Sequence, residues 1–177
     1  MRTTTLMGRA VLIFGAMALA GAAHAQDAAL PAGSKAPAFS TRTVQGAPLS
    51  LKSLRGKVVL MDFWATWCGP CRMATPMMQS LHKQFHAKGL KVIGISVDDS
   101  STTNQVKPFM KSFGVTYTMS ASPEQNRSMA AKYNAGTIPT VFLIDKKGVI
   151  RWSGIGYGEG EKPFLEASIK KLLAEKA

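Results

Sequence analysis

A chain of 177 residues has room for one ordinary domain or two small ones, and its 46% apolar content supports a packed core, which excludes wholesale disorder. Its 22 Lys and Arg against 10 Asp and Glu give a formal balance of +12, spread along the chain without a nucleic-acid-binding motif. That surplus suits acidic protein partners or anionic membrane surfaces, with no nucleic acid expected. The two cysteines, Cys68 and Cys71, are too few for a disulfide scaffold or a four-cysteine zinc module, and no apolar run reaches the about 20 residues of a spanning helix.

Arg2 and Arg9, the apolar stretch Ala10 to Ala22 and the A-x-A pattern Ala23-His24-Ala25 read as a secretory signal peptide over 1–25. An uncleaved anchor is the alternative, but the apolar stretch is short for a span. Ala22 stands where a lipoprotein signal would carry its acceptor cysteine. Cleavage after Ala25 leaves 152 residues with 20 basic and 10 acidic side chains, a balance of +10, and both cysteines outside the cytoplasm. This short, Ala-rich signal points to the bacterial periplasm. Residues 26–36, rich in Ala, Gly, Ser and Pro, are expected to be a mobile lead-in to a single domain over 37–177.

Within that domain Phe39 to Val44 reads as a short strand and Gln45-Gly46 as a turn leading to Leu49-Ser50-Leu51, an N-terminal hairpin. Val58 to Trp64 is a continuous apolar run, the pattern of a strand covered on both faces. Residues 69–87 read as a helix with Ala74, Met77, Met78, Leu81 and Phe85 as its core stripe, Gln79, His82, Lys83 and His86 opposite, and Pro76 as a kink. Val92 to Val97 is a second buried strand, Thr103 to Phe113 a helix and Val115 to Met119 a short strand. Pro123 to Tyr133 fits a helix capped by Ser122 with Pro123 at its first position. Thr140 to Ile144 and Val149 to Ser153 form a hairpin across Asp145-Lys146-Lys147-Gly148, and Glu161 to Glu175 a last helix with Leu165, Ile169, Leu172 and Leu173 inward. A parallel crossover followed by an antiparallel hairpin gives an α/β fold: one mixed central sheet flanked by helices.

Trp67-Cys68-Gly69-Pro70-Cys71 falls where the buried strand hands over to the helix. At a helix N-terminus, free amides and the dipole favour a thiolate, lowering the Cys68 pKa from about 8.5 toward about 7. Two intervening residues let the sulfurs bridge within one turn, and Pro70 stiffens it. Half a zinc site and a purely structural disulfide are the competing readings. The first lacks a second cysteine pair, and the second would constrain only a four-residue loop. The strand–CxxC–helix context favours redox chemistry. Asp62, on the buried strand, is costly to ionise; it either accepts the Cys71 proton or is a hydrogen-bonded structural carboxylate. Two weaker features read as structural: Gly154 to Gly160 as a flexible loop without a phosphate-cradle ending, and Met78, His82 and His86 as a core methionine and two solvated histidines instead of a soft copper stripe.

Asp62-Phe63-Trp64-Ala65 before Trp67-Cys68-Gly69-Pro70-Cys71 resembles the thioredoxin superfamily. That resemblance implies Cys68 as attacking thiolate and Cys71 as buried resolving thiol. It also implies that Thr137-Ile138-Pro139-Thr140 is a loop with a cis Pro139 beside the cysteines, whose Ile138 backbone pairs with an extended substrate segment. Trp67, Gly69, Pro70 and Ile138 then form the substrate-facing surface. The wider pattern is similar to exported TlpA/ResA-like thiol–disulfide oxidoreductases: Gly33 to Phe39, Leu51, Leu54-Arg55-Gly56-Lys57, Ile95 to Asp99 and Leu143-Ile144-Asp145. The 71 residues from Cys68 to Pro139 leave room for that group's helix-and-strand insertion.

This resemblance implies reduction of disulfide-containing substrate proteins, no bound cofactor or metal, electrons from a membrane thiol donor, and a monomer. Two departures stand out. Ala74 replaces the Glu of relatives serving cytochrome c maturation, and Gly94 occupies the place of the Lys that faces the buried Asp of thioredoxin. The rival readings are a copper-binding chaperone, or a redox partner of a copper centre, using the same cysteines, and a peroxidase. The latter's Pro-x-x-x-Thr-x-x-Cys signature is missing, because Met61 and Ala65 occupy its Pro and Thr positions.

Overall fold

The structure, a computed structural model, describes residues 28–158 and 160–176. The predicted signal peptide over 1–25 lies outside them.

Strands β1 (Ser40–Arg42) and β2 (Pro48–Ser50) pair as the expected antiparallel hairpin. The central strand β3 (Val58–Trp64) has all seven residues buried, as its unbroken apolar pattern requires. It leads into α1 (Gly69–Phe85), then β4 (Leu90–Ser96), α2 (Val106–Ser112), β5 (Thr118–Ser120), α3 (Pro123–Lys132), β6 (Thr140–Ile144), β7 (Ile150–Ile155) and α4 (Glu161–Ala174). The five-stranded sheet has the order β5-β4-β3-β6-β7. β3, β4 and β5 run parallel, while β6 and β7 pair antiparallel, so the sheet is mixed as expected.

Alternation along β3 divides the core. Leu60 and Trp64 pack with Met78 and Leu81 of α1, Phe109 of α2 and Leu165 and Ile169 of α4. Met61 and Phe63 pack with Met129 and Tyr133 from α3 and its end, and with Leu49, Leu51 and Leu54 from the hairpin and the turn after it. The predicted core stripe of α1 is buried throughout, and the helix runs unbroken past Pro76.

Several boundaries depart from the sequence expectation for identifiable reasons. The described part of the lead-in is held against the domain: Gly33 N donates to Ile150 O, Ala36 N to Gly148 O and Leu30 N to Tyr133 O. β5 begins at Thr118 instead of Val115, because Val115 N closes α2 on Met110 O and Thr116 N donates to Gln79 Oε1. The same pairing buries Gln79, which was expected on the solvent face of α1. Thr103–Gln105 is a tighter helical turn ahead of α2, leaving Pro108 in the first turn, where a missing N–H costs little. Ser122 holds the N-cap position of α3, but its side chain makes no capping bond; its hydroxyl donates to Arg42 O at 3.4 Å.

Candidate functional site: a dithiol at the start of α1

β3 ends at Trp64, and the chain turns through Ala65, Thr66 and Trp67 into the N-terminus of α1. Cys68 is the residue that caps this helix, and its sulfur accepts from Cys71 N at 3.2 Å. Pro70 sits in the first turn, where no intrahelical partner is lost. Cys68 and Cys71 are joined as a disulfide with a Cα–Cα distance of 5.3 Å. Cys68 keeps 5% of its surface exposed and Cys71 none, so an incoming sulfur can reach only Cys68. Trp67 beside it is 63% exposed. The Ile138–Pro139 bond is cis, and Ile138 O lies 3.8 Å from Cys68 Sγ. Thus Trp67, Cys68, Cys71, Ile138 and Pro139, predicted from two distant segments, converge. The glycine-rich segment abuts the same place through Gly156 N, which donates to Pro139 O.

Asp62 is also buried, on the side of β3 that faces the cluster containing Cys71. Its strand neighbours are Gly94 on β4 and Val141 on β6. Oδ1 has no hydrogen-bond partner, and burial raises the Asp62 pKa from 3.8 to about 7. A side chain at 94 would force its neighbours to shift: a Cβ there would come within 2.5 Å of Met119 Sδ and 2.9 Å of Trp64 Nε1. The Asp62 carboxyl therefore has no lysine from that position. The neighbouring Tyr117 hydroxyl is pushed well above its usual range, chiefly by burial and further by the Asp62 charge.

Sequence reasoning missed the residues that brace the active turn. Asp98 is almost wholly buried just beyond β4, and it accepts from Thr66 N at 3.0 Å, Thr66 Oγ1 at 2.6 Å and Ser96 Oγ at 2.8 Å. Val97 N donates to Trp64 O at 2.8 Å. From the other side Arg72 reaches Thr66 O at 3.5 Å while its guanidinium lies over Phe109 and Phe113. The signal for Asp98 was its place just past a strand parallel to β3, because parallel strands end side by side.

His82 and His86 stack on one another with ring centroids 4.8 Å apart, and burial, followed by the charges of His86 and Lys91, lowers the His82 pKa. Among the described residues no group of three or more His, Cys, Asp and Glu side chains converges as a metal site would require.

This arrangement pairs one reachable sulfur with one buried sulfur at a helix N-terminus, the geometry of dithiol–disulfide exchange. Comparison with known proteins agrees. The AhpC/TSA family model matches residues 32–153. Thiol-disulfide oxidoreductase ResA of Bacillus thuringiensis (strain Al Hakam) is 34% identical over 140 residues, 79% of this chain and 78% of that protein. Thioredoxin-like protein YneN of Bacillus subtilis is 33% identical over 132 residues, 74% of this chain and 75% of the relative. The crystal structure of a thiol:disulfide interchange protein of the thioredoxin family from Chlorobium tepidum TLS superposes with a TM-score of 0.66 at 35% identity, over 83% of this chain and 99% of the other. The chain thus belongs to the AhpC/TSA family and is a ResA-like protein thiol–disulfide oxidoreductase of thioredoxin-like fold.

Proposed function

We propose that the protein is carried across the inner membrane by its signal sequence and reduces protein disulfides in the periplasm. The observation that supports the disulfide chemistry most is the asymmetry of the pair: Cys68 with a sliver of exposed surface close to Ile138 O, Cys71 fully buried. The Cys68 thiolate attacks one sulfur of a substrate disulfide, and the released substrate sulfur takes up a proton. Ile138 offers its backbone to the extended substrate segment, with Trp67, Gly69, Pro70 and Pro139 as the surrounding surface. The Cys71 thiol then gives its proton to Asp62 and attacks Cys68 Sγ. That attack expels the second substrate sulfur as a thiolate, which takes up a proton, and leaves the 68–71 disulfide. Two electrons from a membrane thiol donor restore the dithiol. The copper-binding alternative uses the same two sulfurs; Cu(I) titration of the reduced protein beside Cys68→Ser discriminates it.

The Gly-Pro pair between the cysteines favours the reducing direction. The reduction potential is expected near the about −270 mV of thioredoxin, not the about −120 mV of DsbA. Equilibration of the 68–71 pair in glutathione or dithiothreitol buffers measures it. A value at the oxidising end, with a strongly acidic Cys68, overturns the direction.

A further inference from the structure

Arg127, Ala130, Ala131 and Asn134, on α3 and its end, have the three- and four-residue spacing of a single helical stripe. Together with Trp67, Val97 and Ile138 they line a cleft of about 650 Å³. That volume falls in the about 300–1,000 Å³ range of ligand clefts. Ile138 O lies 3.8 Å from Cys68 Sγ and Trp67 precedes Cys68 in the chain, so the cleft lies beside the reactive sulfur.

Among the described residues Arg127 is the only charged one lining it. Ion pairs among the described residues involve Arg151 and Lys162, so no described carboxylate occupies this guanidinium. Nearby carboxylates are directed elsewhere. Asp62 and Asp98 are buried, Asp99 accepts from Ser101 and Thr102, and Glu124 lines a separate depression with Phe39 and Lys132. The other described acids belong to the β6–β7 turn, to α4 and to the residue after it, Glu175. A mainly apolar cleft with one cation that no described carboxylate neutralises complements a peptide that carries apolar bulk and a carboxylate.

Resting on the reductase reading above, we infer that this cleft selects its substrate: an extended, disulfide-bearing segment that places an apolar side chain against Trp67 and an acidic residue, close in sequence to the attacked half-cystine, on Arg127. The selection is electrostatic. It acts on capture of the segment and weakens as salt screens the pair.

The test is single-turnover reduction of short two-chain disulfide peptides by the pre-reduced full chain, followed by tryptophan fluorescence. A Glu or a Gln is scanned over the three positions on either side of the half-cystine. At one or more positions the Glu peptide is expected to react about three- to fivefold faster than its Gln twin at low salt. That ratio should collapse toward one at high salt and in Arg127→Gln, and Arg127→Glu should prefer a Lys at the same position. A Glu/Gln ratio of one at every position, or a ratio that survives Arg127→Gln, overturns the selection while leaving the reductase function standing. Failure of the wild type to reduce any of the peptides overturns both.

Discussion

Replacing Asp62 with Asn is expected to stabilise the oxidised protein by about 3–4 kcal/mol at pH 8 while slowing its chemistry. Burial lifts the Asp62 pKa from the usual 3.8 to about 7, and its Oδ1 finds no donor. Between those two values the folded state keeps a proton that the unfolded state has lost. The contribution of Asp62 to stability is therefore complete below pH 3.8, declines as pH rises and is gone above pH 7. A rise of about three units corresponds to about 4 kcal/mol. Asn, which never ionises, abolishes the decline. Urea unfolding of both oxidised proteins between pH 4 and pH 8 should give curves that diverge as pH rises, with the variant higher; parallel curves contradict the assignment. The same carboxylate, close to half-ionised near neutrality, is suited to take the Cys71 proton. Resolution of a mixed disulfide at pH 7 should slow on the order of a hundredfold in Asp62→Asn. An unchanged rate removes Asp62 from the mechanism.

The second large effect belongs to Asp98. This carboxylate is 1% exposed and holds the turn before Cys68 through the backbone and hydroxyl of Thr66, with Ser96 as its third donor. Asp98→Ala leaves the Thr66 N–H without its partner and is expected to cost about 2–4 kcal/mol in urea unfolding. Asp98→Asn keeps one acceptor oxygen and should lose about half of that. The loosened turn should also change the pH dependence of Cys68 alkylation, because Cys68 follows Thr66 by two residues at the cap of α1. Wild-type stability in Asp98→Ala contradicts the role assigned to this network.

The contrast between these two residues shows how far the sequence reaches. Asp62 was conspicuous as a single charge inside an apolar run, and the run itself marked β3 from Val58 to Trp64. The cysteine spacing marked the start of α1, and the apolar stripe of that helix is buried as its periodicity required. Such signals are local: a strand or helix is written in the spacing of its own residues. Asp98 acts 32 positions away from Thr66, and Gln79 acts 37 positions away from Thr116. Both depend on a register between elements that no single stretch encodes. The same holds for β5, whose start is set by bonds to α1 and α2, and for the lead-in 26–36, whose Ala-, Gly-, Ser- and Pro-rich composition suggested mobility, although amides of its described part pair with Ile150, Gly148 and Tyr133. The cleft beside Trp67 was hidden for a related reason. Arg127 reads as an ordinary solvated helix residue until α3 is placed across from the dithiol.

Covalent trapping in the living cell tests the central claim most directly. With Cys71→Ser the second attack cannot occur, so substrates captured by Cys68 should accumulate as mixed disulfides. These should run as high-mass species on non-reducing gels, vanish on reduction, contain periplasmic proteins and be absent from Cys68→Ser. Trapping by Cys68→Ser with none by Cys71→Ser, or no trapping by either, would contradict the account of Cys68 as the attacking thiol of a protein disulfide reductase.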